Sequence, residues 1–140
     1  MVKKLKQITV KAKIENWEQV LAFINEQLEL LACSPKIRIQ IDIAAEELFV
    51  NIANYAYQND IGEASVLVAV NQEPLSVSIT FVDNGIPYDP LARNDPDVSL
   101  SAEDRKIGGL GIYMVKKSMD NVSYEYKNGQ NILTIEKTIA

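Results

Sequence analysis

Glu47 and Asn51 stand four residues apart in a stretch of helical periodicity, which stacks a carboxylate and an amide oxygen on one edge of a helix. Hard oxygen ligands of this kind suit Mg²⁺. At about 100° per residue, Ile41, Ala44, Leu48, Ile52 and Tyr55 fall within about 40° of one line and form the expected buried stripe, with Glu47, Asn51 and Asn54 on its flank. A solvated helix face has the same pattern. Asp83-Asn84-Gly85 closes a run in which Leu75, Val77, Ile79 and Phe81 alternate with Ser76, Ser78 and Thr80. A carboxylate at a strand end can accept a hydrogen bond from the exocyclic amine of adenine, and a following glycine lets a flat ligand approach the backbone. The rival is a plain Asn-Gly turn, weakened because a proline-containing segment follows it instead of a second strand. Gly108-Gly109-Leu110-Gly111 opens another helical stretch, where exposed N–H groups and the positive end of the helix dipole suit a phosphate. A flexible hinge would use the same residues. Met114 stands where a dinucleotide-binding G-x-G-x-x-G needs its last glycine, and the Walker phosphate-loop pattern is absent.

Composition removes other chemistries. The 140-residue chain contains no histidine, which excludes Ser-His-Asp and Cys-His catalysis, histidine-ligated zinc and a phosphohistidine relay within the chain. Cys33 is the single cysteine, so neither an internal disulfide nor a multi-cysteine metal site can form, and the thiol reads as a small apolar residue. Fourteen Lys/Arg against nineteen Asp/Glu give a net charge of −5, which disfavours nucleic acid as a direct partner. With 47% hydrophobic residues, no apolar run of membrane-spanning length and no signal-peptide pattern, the chain reads as one soluble, cytoplasmic domain without a membrane partner.

The elements that must position these groups follow from periodicity. Ile8, Val10, Ala12 and Ile14 alternate with Thr9, Lys11 and Lys13, as in a half-buried strand whose lysines face solvent. Asn16 is a candidate cap for a helix with Trp17, Val20, Leu21, Ile24, Leu28 and Leu31 on one face. Ser34 and Pro35 start a second helix that runs to about Tyr57. Residues 64–70 and 75–82 read as strands joined at residues 71–74. Residues 84–108 hold three of the five prolines and few large apolar residues, the composition of a functional lid or a disordered segment. A third helix over about 110–119 precedes a strand with Val122, Tyr124 and Tyr126, an Asn128-Gly129 hairpin turn and a last strand over about 131–138. This order predicts an α+β fold: a two-layer sandwich with a mixed, mostly antiparallel sheet and helices on one face.

Taken in sequence, an acid-amide helix, a D-x-G after a strand, a lid and a glycine-rich helix start resemble the boxes of the Bergerat ATP-binding fold, shared by gyrase, heat-shock chaperones and histidine kinases. The lid edges, Tyr88-Asp89-Pro90 and Gly108-Gly109-Leu110-Gly111-Ile112-Tyr113-Met114-Val115-Lys116, narrow the match. Over residues 5–138 the chain resembles the anti-sigma factor serine/threonine kinase family of bacteria, as a single histidine kinase-like ATP-binding domain with a lid over about 86–108. The resemblance implies ATP and Mg²⁺. Asn51 would ligate Mg²⁺, Glu47 would act as general base, Asp83 would read the adenine amine and Gly85 would leave room for the ring. Gly109 and Gly111 would hold phosphates through backbone N–H groups, and Arg105 or Lys106 would neutralise γ-phosphate charge. It further implies phosphorylation of a STAS-domain anti-anti-sigma protein, binding of a sigma factor, and a homodimer. The alternative is a non-catalytic module that uses ATP only to set its shape and sequesters a regulatory protein; slow ATP hydrolysis without a protein substrate is a third.

Overall fold

The computed structural model describes residues 4–57, 60–92 and 110–139. Strand β1 (Lys4–Lys11) leads through a 3-10 turn (Ile14–Asn16) into helices α1 (Trp17–Glu29) and α2 (Pro35–Tyr55). Strands β2 (Glu63–Gln72) and β3 (Leu75–Asp83) form a hairpin, followed by a short 3-10 turn at Pro90–Ala92. Helix α3 (Leu110–Ser118) then precedes strands β4 (Asn121–Lys127) and β5 (Gln130–Thr138). The five strands form one sheet in the order β1-β2-β3-β5-β4, and every pairing is antiparallel. The expected parallel component is missing from the ladders because β5 inserts between β3 and β4. Those two strands run in the same direction and are joined by the crossover that contains α3.

Alternation along the strands builds one core. Val66 and Val68 of β2, Val77, Ile79 and Phe81 of β3, and Leu133 and Ile135 of β5 are buried in a single cluster with residues of all three helices. From α1 come Val20, Ile24 and Leu28; from α2, Ile41, Ala44, Ala45, Leu48, Phe49 and Ile52; from α3, Ile112 and Val115. Helix α2 therefore buries a wider band than a single stripe, as a helix wedged between two others and a sheet must. Trp17 at the start of α1 packs its ring against Phe49 with centroids 5.9 Å apart. No helix among the described residues is long and apolar enough to cross a membrane.

Local signals place most boundaries. Ser34 Oγ accepts from the Ile37 N–H at 3.2 Å with Pro35 in the first turn, so α2 begins as a capped helix. Asn128 and Gly129 have φ of 54° and 77°, as a two-residue type I′ hairpin turn requires.

Three further expectations are corrected. Ile14 does not extend β1: the ladder with β2 ends at Lys11, and Ile14 lies 54% exposed in the turn. Asn16 does not cap α1 with its side chain; Nδ2 donates to the Lys11 carbonyl at 2.9 Å and ties the turn back to the strand. Tyr55 is 54% exposed, outside the buried band, because it ends α2 where Tyr88 approaches it with ring centroids 6.3 Å apart.

Candidate functional site

Asp83 ends β3 in the same phase as Val77, Ile79 and Phe81, so the alternation that builds the core turns its carboxylate inward, and it is only 4% exposed. Its Oδ1 accepts from the Gly85 N–H and from Asn131 Nδ2, both at 2.9 Å. Burial pushes the carboxyl above the ordinary aspartate range, opposed by those two hydrogen bonds. A side chain at Gly85 would strike the carbonyl and Cβ of Ala56, just past the end of α2. Glycine thus lets the corner close onto the helix, where the Ile86 N–H donates to the Ala56 carbonyl at 3.0 Å. The Tyr57 hydroxyl braces the same corner, donating to the Glu63 carbonyl at 2.6 Å and accepting from the Asn84 N–H at 2.7 Å.

Across the ladder from Asp83 stands Asn131, which shares the inward phase of Leu133 and Ile135 on β5 and is also buried. Besides the bond to Asp83, its Nδ2 donates to the Ile86 carbonyl at 2.8 Å. Its Oδ1 accepts from the Tyr88 N–H at 3.1 Å and from the Tyr124 hydroxyl. Sequence reasoning missed this residue. Its signal was a polar side chain in a core-facing register, legible only once β5 is known to lie beside β3.

On α2, Asn51 Nδ2 donates to Glu47 Oε2 at 3.0 Å, as the four-residue spacing predicts. The amide oxygen of Asn51 has no partner among the described residues and so is available as a hard ligand. Burial, the main cause, and the nearby Glu46 raise the Glu47 carboxyl above its ordinary range; the Asn51 bond pulls it down. A side chain on Gly111 would overlap the Glu47 carboxylate. The second residue of α3 is therefore open ground that Glu47 occupies.

Asn51, Asp83 and Asn131 line one cleft together with Leu48, Ile52, Phe81, Leu133, Tyr88 and Tyr124. The empty space between them, about 420 Å³, includes the part open to solvent. The apolar walls suit a flat ring, and the few polar groups converge at one end of β3 and β5. Glu47 adjoins the cleft through Asn51. Arg105, Lys106, Gly108 and Gly109 lie outside the described residues. Among the described residues no three His, Cys, Asp or Glu side chains gather as a metal site. A magnesium ion at Asn51 would accordingly need further ligands from a bound phosphate and water, its usual company. Cys33 is half-buried with its thiol raised by burial, opposite to an activated nucleophile.

The chain is similar to known proteins. The chain is 29% identical over 102 residues to the serine/threonine-protein kinase BtrW of Bordetella bronchiseptica, an alignment covering 73% of this chain and 71% of the relative. It is 30% identical over 95 residues to the serine-protein kinase RsbW of Bacillus cereus, covering 65% of this chain and 58% of that protein. The chain thus spans less than two-thirds of the latter's length. Among solved structures, the RsbU and RsbW domains of Rv1364c from Mycobacterium tuberculosis superpose with a TM-score of 0.70 at 17% identity, covering 97% of this chain and 32% of that one. That likeness establishes the fold. The match to the histidine kinase-like ATPase domain over residues 10–137 takes in α2, the Asp83 corner, α3 and nearly all of β5, and the chain belongs to that family.

Proposed function

We propose that this protein is an ATP-dependent serine/threonine protein kinase acting as an anti-sigma regulatory factor, with a STAS-domain anti-anti-sigma protein as its phosphoacceptor and a sigma factor as a further partner. The observation that carries the reading is the Glu47–Asn51 pair, joined at 3.0 Å at the side of a cleft whose end holds Asp83. The names of the relatives support the activity. Asp83 receives the adenine amine, and the apolar lining sandwiches the ring. The Asn51 amide oxygen is the protein's ligand for Mg²⁺, which supplies charge neutralisation on the phosphates when bound. Gly109 and Gly111 offer backbone N–H groups to the phosphates, and Arg105 offers a positive charge.

Glu47 then takes the proton of the acceptor hydroxyl as its oxygen attacks the γ-phosphorus. The bond from that phosphorus to the β,γ-bridging oxygen breaks, giving ADP and a phosphoserine or phosphothreonine. Little more is required of the protein than positioning and charge. Incubation with Mg²⁺-ATP and the STAS protein encoded nearby, followed by mass spectrometry, tests this. One phosphorylated serine or threonine is expected; tight nucleotide binding with no transfer would overturn the kinase reading in favour of the non-catalytic module.

A further inference from the structure

Asn131 uses its whole hydrogen-bonding capacity inside the protein. An amide has two N–H donors and two lone pairs on oxygen. Here the donors go to Asp83 Oδ1 and the Ile86 carbonyl, and the oxygen receives the Tyr88 N–H and the Tyr124 hydroxyl. The partners fix the amide's orientation, because Ile86 offers only an acceptor and the Tyr88 backbone only a donor. With nothing left to offer a ligand, a buried and saturated side chain at the edge of a cleft acts through what it holds.

What it holds is the face that Asp83 presents. Both hydrogen bonds to this carboxylate, from Asn131 and from Gly85, fall on Oδ1, and Oδ2 accepts none among the described residues. Asp83 lines the cleft, so Oδ2 is the oxygen left for a ligand. Without Asn131 the carboxylate would keep only the Gly85 bond, and rotation about its last torsion would spread the acceptor over several directions. The same amide also anchors Ile86 and Tyr88, two residues of the chain that continues from the corner along the cleft.

We infer that Asn131 is a specificity-determining positioning residue, which holds Asp83 so that one oxygen meets a purine 6-amino group and seats the 86–88 segment against that group. The inference rests on the nucleotide reading of the cleft. It predicts that the chain discriminates ATP from purine riboside triphosphate, which lacks only the 6-amino group, and that Asn131 creates the discrimination.

Affinities of both triphosphates, measured with Mg²⁺ by calorimetry on the full chain, test it. The unmodified protein should favour ATP by about tenfold or more, the value of a hydrogen bond to a charged acceptor. In Asn131→Ala the preference should fall to about threefold or less, since the contact is no longer held in line. A purely structural role would weaken both nucleotides by the same factor, and an Asn131→Ala protein with an undiminished ratio overturns the inference. Should that variant fail to fold, the side-chain amide protons of Asn131 serve in the unmodified protein. ATP should shift the proton donated to Asp83 more than the analogue does, and equal shifts overturn the inference. An unmodified protein that binds neither triphosphate overturns the nucleotide reading itself. One that binds both equally overturns the Asp83 contact on which the inference stands.

Discussion

Glu47 is held by a donor one helical turn away and by the absence of a side chain on Gly111, and the two constraints can be separated by mutation. Glu47→Ala should keep ATP affinity within about threefold while transfer falls about 10²–10⁴-fold, the usual share of a general base. Equal loss in binding and transfer would remove the base assignment. Gly111→Ala puts a methyl where the carboxylate lies, and the group it displaces is the mobile end of a side chain, so the fold should survive. Turnover should drop about tenfold or more through the misplaced base, with little change in the ATP dissociation constant. Acid acts on both carboxylates with the same sign. Glu47 and Asp83 are each raised by burial, and in the proposed reaction each functions ionised, so lowering the pH protonates them earlier than an exposed carboxylate. Single-turnover transfer should lose rate on the acid side through Glu47, while equilibrium ATP affinity should fall through Asp83, and Asp83→Asn should abolish the second dependence along with most of the binding. Glu47, Asn51 and Asp83 were legible because helix spacing and strand termination are local facts. Asn131 and Tyr57 were not, since each gains its meaning from a partner 48 or 27 residues distant in the chain.

Helix α2 carries two of the three proposed site groups, Glu47 and Asn51, on one rod, so what fixes its register fixes their placement. Its start depends on Ser34, and Ser34→Ala should cost about 1 kcal/mol in chemical denaturation, leaving ATP affinity per folded molecule unchanged because Glu47 lies more than three turns away. Changed affinity without changed stability would contradict this separation. Strand alternation, the Ser34-Pro35 start and the Asn128-Gly129 turn were all readable, since each is enforced within a few residues. The insertion of β5 between β3 and β4 was not, because the choice between neighbouring strands is made by packing across the whole sheet. Tyr55 illustrates the same limit: its helical angle placed it inward, yet α2 has reached its end there and the ring meets Tyr88 instead.

For the whole molecule, the cleft joins α2, the end of β3 and the start of β5, so a ligand seated in it ties the helical layer to the sheet. ATP at about one hundred times its dissociation constant should add about 2.7 kcal/mol of stability, visible as a thermal midpoint several degrees higher. Asp83→Asn should lose that increment while keeping a cooperative transition; an undiminished shift would place the nucleotide elsewhere. The layers also carry a built-in reporter. Trp17 is the chain's single tryptophan, and its ring rests on Phe49, which lies between Glu47 and Asn51 in sequence. All indole emission therefore originates at the seam between α1 and the helix that bears the site, and a nucleotide titration can be followed optically at one known position without attaching a dye.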